Sequence, residues 1–143
     1  MTKKIYLIGA LKNRAIIELG NRLRAIGYDV FDDWLSPGEE ADEKWQEYER
    51  QRGRSYKEAL LGHHAQHVFD LDYRHLTESD IVVMVMPCGR SGHLELGWAI
   101  GQGKRAYVLF DEEPDRFDVM YVFADDVFFD AEELLSELTR RKE

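Results

Sequence analysis

The sequence predicts a doubly wound α/β fold: about five parallel strands with helices on both faces. Three observations carry this expectation. Strand-like apolar runs alternate with helical spacing along the whole chain. The run Ile81–Met86 is apolar at six consecutive positions, as expected of a central strand covered on both sides. The length of 143 residues suits one domain, and no break in composition divides it.

The elements follow in order. Lys3–Ile8 reads as a first strand running into Gly9-Ala10. Ile16, Leu19, Leu23 and Ile26 then recur at helical spacing, closed by Gly27. Tyr28–Phe31 is a second strand, followed by Asp32-Asp33-Trp34 and the turn Ser36-Pro37-Gly38. Residues 39–78 lack a strand signal and are rich in Glu, Lys, Gln, Arg and Ala. They predict a helical insertion of one or two helices, broken near Gly53 or Gly62. After strand Ile81–Met86 comes a turn over Pro87–Gly92 and a helix from about Leu94. Gly101-Gln-Gly103 reads as its C-terminal turn, since a dinucleotide fingerprint needs a third glycine and precedes a helix. Arg105–Phe110, a short Val127–Phe129 and a closing helix Ala131–Arg141 complete the single domain 1–143.

Right-handed crossovers and a central third strand give the order 2-1-3-4-5, the flavodoxin-like arrangement. Ligands of such sheets bind beyond the carboxyl ends of the strands, where strand order reverses. Here that crevice lies between strands one and three. Its walls are Gly9–Arg14 and Pro87–Glu95.

Composition narrows the function classes. A single cysteine, Cys88, excludes a disulfide scaffold and a cysteine-based zinc finger. No apolar run approaches the roughly 18 residues that span a bilayer, and no signal-peptide pattern is present, so the expected setting is cytoplasmic. The net charge of −9 is uneven: the first 27 residues hold six basic and one acidic residue, the last 33 hold four and twelve. An acidic chain without an extended basic face is a poor partner for duplex nucleic acid. The basic start still suits a small anion.

Glu95 sits near the start of a helix at the crevice. Such a glutamate serves either as a capping-box partner or as a reactive carboxylate, and its position after the central strand favours the second. Gly89, Arg90, Ser91 and Gly92 on one wall, with Lys12, Asn13 and Arg14 on the other, could receive an oxyanion; solvated cations and an N-capping serine are the plainer alternative. Asp33 and Trp34 admit two readings, contact with a base or a turn with a half-buried ring. His63, His64 and His67 lack a third metal ligand and read as a partly exposed helix face, so no metal is expected. Arg50, Arg52 and Arg54 form a flap or pair with Glu47 and Glu49. Cys88 reads as a spectator thiol.

These residues carry a resemblance. The run Asp70-Leu-Asp-Tyr, Leu76-Thr-Glu-Ser-Asp80, the apolar strand and Gly89–Ala99 resembles the nucleoside 2-deoxyribosyltransferase family. Gly101-Gln-Gly-Lys104 and the opening Lys4-Ile-Tyr-Leu-Ile-Gly9 fit the same pattern. About half of the chain is covered. The resemblance implies cleavage or transfer of the N-glycosidic bond of a (deoxy)nucleoside or 5′-monophosphate without a cofactor, through a covalent glycosyl-glutamate. It implies Glu95 as nucleophile, Asp72 as the aspartate that assists at sugar and base, and Tyr6 as the tyrosine touching the nucleophile. It also implies homo-oligomers. The first loop departs from phosphate-using relatives, which carry a serine and an arginine-glycine pair there. Competing expectations are hydrolysis of NAD and a nucleotide-sensing module without turnover.

Overall fold

The computed structural model describes residues 2–142. Among them five strands form one parallel sheet: β1 (Lys4–Ile8), β2 (Asp29–Phe31), β3 (Ile81–Val85), β4 (Arg105–Leu109) and β5 (Asp126–Phe128). The spatial order is β2-β1-β3-β4-β5, as the connectivity argument predicts. The helices are α1 (Ala15–Ala25), α2 (Ala41–Gln51), α3 (Tyr56–Leu60), α4 (His63–Glu78), α5 (Arg90–Gly101) and α6 (Ala131–Arg141).

Strand alternation sorts the core into two layers. Ile5 and Leu7 of β1 join Val83 and Tyr107 against Ile16, Leu19 and Leu23 of α1 and Leu134, Leu135 and Leu138 of α6. Tyr6 and Ile8 point the other way, with Val82, Met84, Ala106 and Val108, toward Leu76 of α4 and Leu96 and Ala99 of α5. Every residue of β3 is buried, so the five residues of the apolar run that form the strand are covered on both faces, and Met86 just beyond it is half-buried. Burying each of these aliphatic side chains contributes about 1.5–3 kcal/mol.

Several boundaries differ from expectation. β1 begins at Lys4, β2 at Asp29 and β5 at Asp126, while β3, β4 and β5 end one residue early; ladder pairing, not apolarity, sets these ends. Residues 39–78 form three helices instead of one or two, because the chain turns at both glycines. Gly53 takes a left-handed φ of 71°, and a capping box of Ser55 with Glu58 restarts the chain as α3. α2 buries only Glu49, so it lies at the periphery. The helix expected from Leu94 begins at Arg90. Gly89 adopts an extended N-cap conformation, which leaves Arg90, Ser91 and Gly92 free to enter the helix. A single-turn 3-10 segment, Asp33–Leu35, occupies the turn expected after the second strand, and a longer one, Val119–Phe123, precedes β5. No described helix is long and apolar enough to cross a membrane.

Candidate active site

β1 and β3 are neighbours whose outgoing chains turn to opposite sides, so a crevice opens above their carboxyl ends. Three side chains from three elements converge beneath it. Tyr6 is buried, and its hydroxyl donates to Glu95 Oε2 at 2.5 Å. Glu95 projects from the second turn of α5, and Asp72, half-buried on α4, lies near enough for its charge to act on both Tyr6 and Glu95.

Their electrostatics are those of a desolvated pair of carboxyl groups. Burial pushes Glu95 up, Asp72 adds to this, and the Tyr6 hydrogen bond pulls it down; the result is about 7. Burial alone lifts Asp72 to about 6. Burial first, then the charges of Glu95 and Asp72, drive the Tyr6 hydroxyl far above its ordinary value, so it stays a donor. Among the described residues no basic side chain forms an ion pair with Glu95 or Asp72. Two carboxyl groups and no counter-cation hold a proton between them near neutral pH. The Tyr6 bond offsets burial only in part, so Glu95, with the higher value of the two, holds that proton more often than Asp72 in the free protein.

This arrangement removes the capping-box alternative for Glu95 and sets burial against the helix dipole. Glu95 is not a capping-box partner, since the first turn of α5 contains no acidic residue and Gly89 caps without a side chain. Nor does the helix terminus keep it readily ionised, since burial outweighs any benefit from the dipole. Ser91 is likewise not an N-cap; it is the second residue of the helix and exposed.

The walls are placed as follows. Gly9 and Asn13 are half-buried in the first loop. Lys12 is exposed and pairs with Glu43 of α2 at 3.1 Å. Arg14 donates from Nη1 to the Leu35 carbonyl at 3.0 Å, tying the first loop to the second. On the facing wall, Gly89 and Arg90 are exposed, and among the described residues Arg90 forms no ion pair. Gly92 is buried: a Cβ there would collide with Cys88 Sγ and with Ile8, which explains a glycine inside a helix.

Cys88 therefore lies against the α5 entrance, where burial and Glu95 push its thiol up to about 11 and the Gly89 and Gly92 N–H groups oppose them. Asp33 is exposed on the 3-10 turn. Trp34 is half-buried, donates from Nε1 to the Leu7 carbonyl at 2.7 Å, and packs on both core layers. Arg52 and Arg54 approach buried Glu49 at 3.9 and 3.7 Å, pairing as one of the two sequence readings has it. His63, His64 and His67 are exposed.

Two clusters near the crevice carry no sequence signal. His93 Nε2 lies 2.9 Å from the Tyr121 hydroxyl and Nδ1 lies 2.8 Å from the Gly89 carbonyl. These residues border a groove of about 340 Å³ between α5 and Val119–Phe123, and Glu95 does not line it. His75 stacks on Phe31, which stacks on Tyr6. Only the i+3 spacing from Asp72 to His75 could have drawn attention to the second cluster.

Solved structures match this architecture over most of its length. One is a 2-deoxyribosyltransferase from the psychrotolerant bacterium Bacillus psychrosaccharolyticus, with TM-score 0.64 and 18% identity over 92% of this chain and 90% of that one. Another is a CMP N-glycosidase of Clostridium botulinum, with TM-score 0.55 and 19% identity over 95% and 98%. The chain shares their fold. The sequence itself matches no protein-family model and no curated protein.

Proposed function

We propose that the chain breaks the N-glycosidic bond of a (deoxy)nucleoside or nucleoside 5′-monophosphate, with Glu95 as the nucleophile. The observation that carries this reading is the buried Tyr6–Glu95 hydrogen bond beside Asp72, beneath the crevice of the sheet. The likeness to two enzymes named for deoxyribosyl transfer and for N-glycoside cleavage supports it.

The Glu95 carboxylate attacks the anomeric carbon. The carbon–nitrogen bond breaks, and its electron pair leaves with the base, which takes the proton that the two carboxyl groups share, carried by Asp72 when Glu95 attacks as the carboxylate. Water or a second base then attacks the anomeric carbon of the glycosyl ester and releases Glu95; the incoming nucleophile returns its proton to Asp72. Tyr6 holds one carboxylate oxygen so that the other faces the sugar. Gly9, Lys12, Asn13 and Arg14 form one wall of the substrate site, and Gly89, Arg90, Ser91 and Gly92 form the other. Asp33 and Trp34 edge the base. No cofactor enters these steps, and the cytoplasm supplies the substrates.

The same helices present an unpaired apolar face. Phe69 (59% exposed), Tyr73 and Leu94 (77%) lie on α4 and α5, which carry Asp72 and Glu95. A second copy of the chain is the occupant that this face fits, which makes the enzyme a homo-oligomer; light scattering on the purified protein tests it.

The deciding experiment is a panel of nucleosides and 5′-monophosphates, each with and without an acceptor base, on wild type and Glu95→Ala. Base release by wild type alone supports the reading. Undiminished release by Glu95→Ala contradicts the mechanism. Nicotinamide release from NAD but no base from the panel would reassign the substrate, and tight nucleotide binding without turnover would make the protein a sensor.

A further inference from the structure

Lys4 opens β1, its side chain only 14% exposed although it is a lysine. Alternation places it on the same sheet face as Tyr6, about 6.6 Å away along the strand. Asp72 and His75 are likewise neighbours on one face of α4, at i and i+3. The same strand and helix are thus joined twice. The upper junction holds Tyr6, Asp72 and, from α5, Glu95. The lower one is Lys4 Nζ donating to His75 Nδ1 at 2.7 Å and to Glu78 Oε2 at 3.3 Å.

An aromatic column links the two. The His75 ring lies on Phe31 with centroids 4.0 Å apart and planes 11° apart, and Phe31 lies on Tyr6 at 5.2 Å and 28°. The Lys4 ammonium also sits 6.0 Å above Phe31. Phe31, buried at the end of β2, is gripped between the histidine and the tyrosine that binds Glu95.

We propose that the Lys4–His75 bond is a positioning device, holding α4 at the height on β1 where Asp72 meets Tyr6 and Glu95. The proposal rests on the glycosidic reading of Glu95. An ammonium can only donate, so Nδ1, at 2.7 Å from Lys4, accepts and the proton of the neutral ring sits on Nε2, where Arg74 Nη2 at 3.3 Å, also only a donor, is a neighbour and not a second bond. The charged groups facing the imidazole are Lys4 from β1, Arg74 and Glu78 from α4, and Asp33 from the turn after β2. Burial, then the Lys4 and Arg74 cations, hold its pKa down against the two carboxylates. Protonation of His75 turns its acceptor into a donor aimed at Lys4 and opens the lower junction.

The test uses His75→Phe, which keeps a ring on Phe31 without an acceptor, and Lys4→Met, which keeps the stem without a donor. His75→Gln, which keeps an acceptor, is the conservative rescue. Each of the first two should lower kcat for base release about tenfold. KM should stay within about threefold, the signature of a group that aligns rather than binds. The double variant should cost no more than either single one, because both remove the same bond. His75→Gln should recover part of the loss.

A second readout is independent of turnover: the titration of the Asp72 carboxyl by carbon NMR. In His75→Phe its midpoint should fall toward the ordinary carboxylate range, because a loosened α4 lets water reach it. A folded His75→Phe with wild-type kcat and an unmoved Asp72 titration overturns the proposal. If wild type releases no base, the glycosidic reading fails, and the Asp72 titration alone decides for or against the positioning role. If His75→Phe does not fold, Lys4→Met carries both measurements.

Discussion

The two faces of the sheet each bury a tyrosine whose hydroxyl donates to a glutamate. On the α1–α6 face, Tyr107 donates to Glu137 Oε2 at 3.0 Å. That glutamate also pairs with Arg140 and, at 3.0 Å, with Arg141, one helical turn along α6. On the α4–α5 face, Tyr6 donates to Glu95, and the neighbouring charge is another carboxylate, Asp72. The residue types and the bond are alike, but the surroundings differ in sign. Cations beside Glu137 make a satisfied structural anchor. A second acid and no cation beside Glu95 make a group that holds or releases a proton near neutral pH. Residue identity did not separate these two glutamates; the charge of the neighbours did.

Replacing the two glutamates is the strongest way to break the comparison. Glu95→Gln should lower kcat for base release by about 10³-fold or more, the usual cost of losing a nucleophile. Glu137→Gln should leave kcat within about threefold. Equal losses in both would dissolve the distinction.

Stability should move the opposite way. A carboxyl whose folded pKa is raised contributes its stability below the unfolded value, and that stability is lost as pH rises through the folded pKa. For Glu95 the window runs from the ordinary 4.5 to about 7. Glu95→Gln should therefore be more stable than wild type by about 3 kcal/mol at pH 8, with a smaller gain at pH 5. Glu137→Gln should be less stable by about 1 kcal/mol, since it weakens hydrogen-bonded pairs with partly exposed arginines. Urea denaturation at both pH values reads both effects.

Tyr6→Phe sharpens the same contrast. Without its donor Glu95 should ionise less readily, so the acid limb of the pH–rate profile should move to higher pH and kcat should fall about tenfold. An unmoved limb would mean that the 2.5 Å bond has no part in setting the charge on Glu95. The smallest effect concerns the rim. Arg90→Ala should raise KM for a monophosphate severalfold, about one exposed charge-assisted contact, and spare the matching nucleoside. Equal losses would remove Arg90 from phosphate recognition.

Much of the scaffold was legible because its signals are local. The apolar run at β3 and the spacing of Ile16, Leu19 and Leu23 each lie within one element, and strand order follows from handedness rules. Glu95 drew attention by its place after β3, whereas Asp72 and Tyr6 entered only through the family resemblance; the Tyr6–Glu95 hydrogen bond joins residues 89 apart. The start of α5 was not legible, because Gly92 reads as a turn residue until Cys88 Sγ is seen filling the space of its missing side chain. The Lys4–His75 bond joins residues 71 apart and leaves no trace in either neighbourhood. Nor could spacing foretell that Arg14 would be drawn to the Leu35 carbonyl and Lys12 to Glu43. Such long-range pairings arise only when the chain is folded.

In the proposed mechanism Glu95, and not its counterpart across the sheet, should become covalently attached to the sugar. Rapid acid quenching of wild type mixed with a nucleoside that it cleaves, followed by peptide mass spectrometry, tests this most directly. One pentosyl adduct is expected on the peptide containing Glu95, lost in Glu95→Gln and kept in Glu137→Gln. Base release with no adduct at any time, or an adduct that survives in Glu95→Gln, would contradict it.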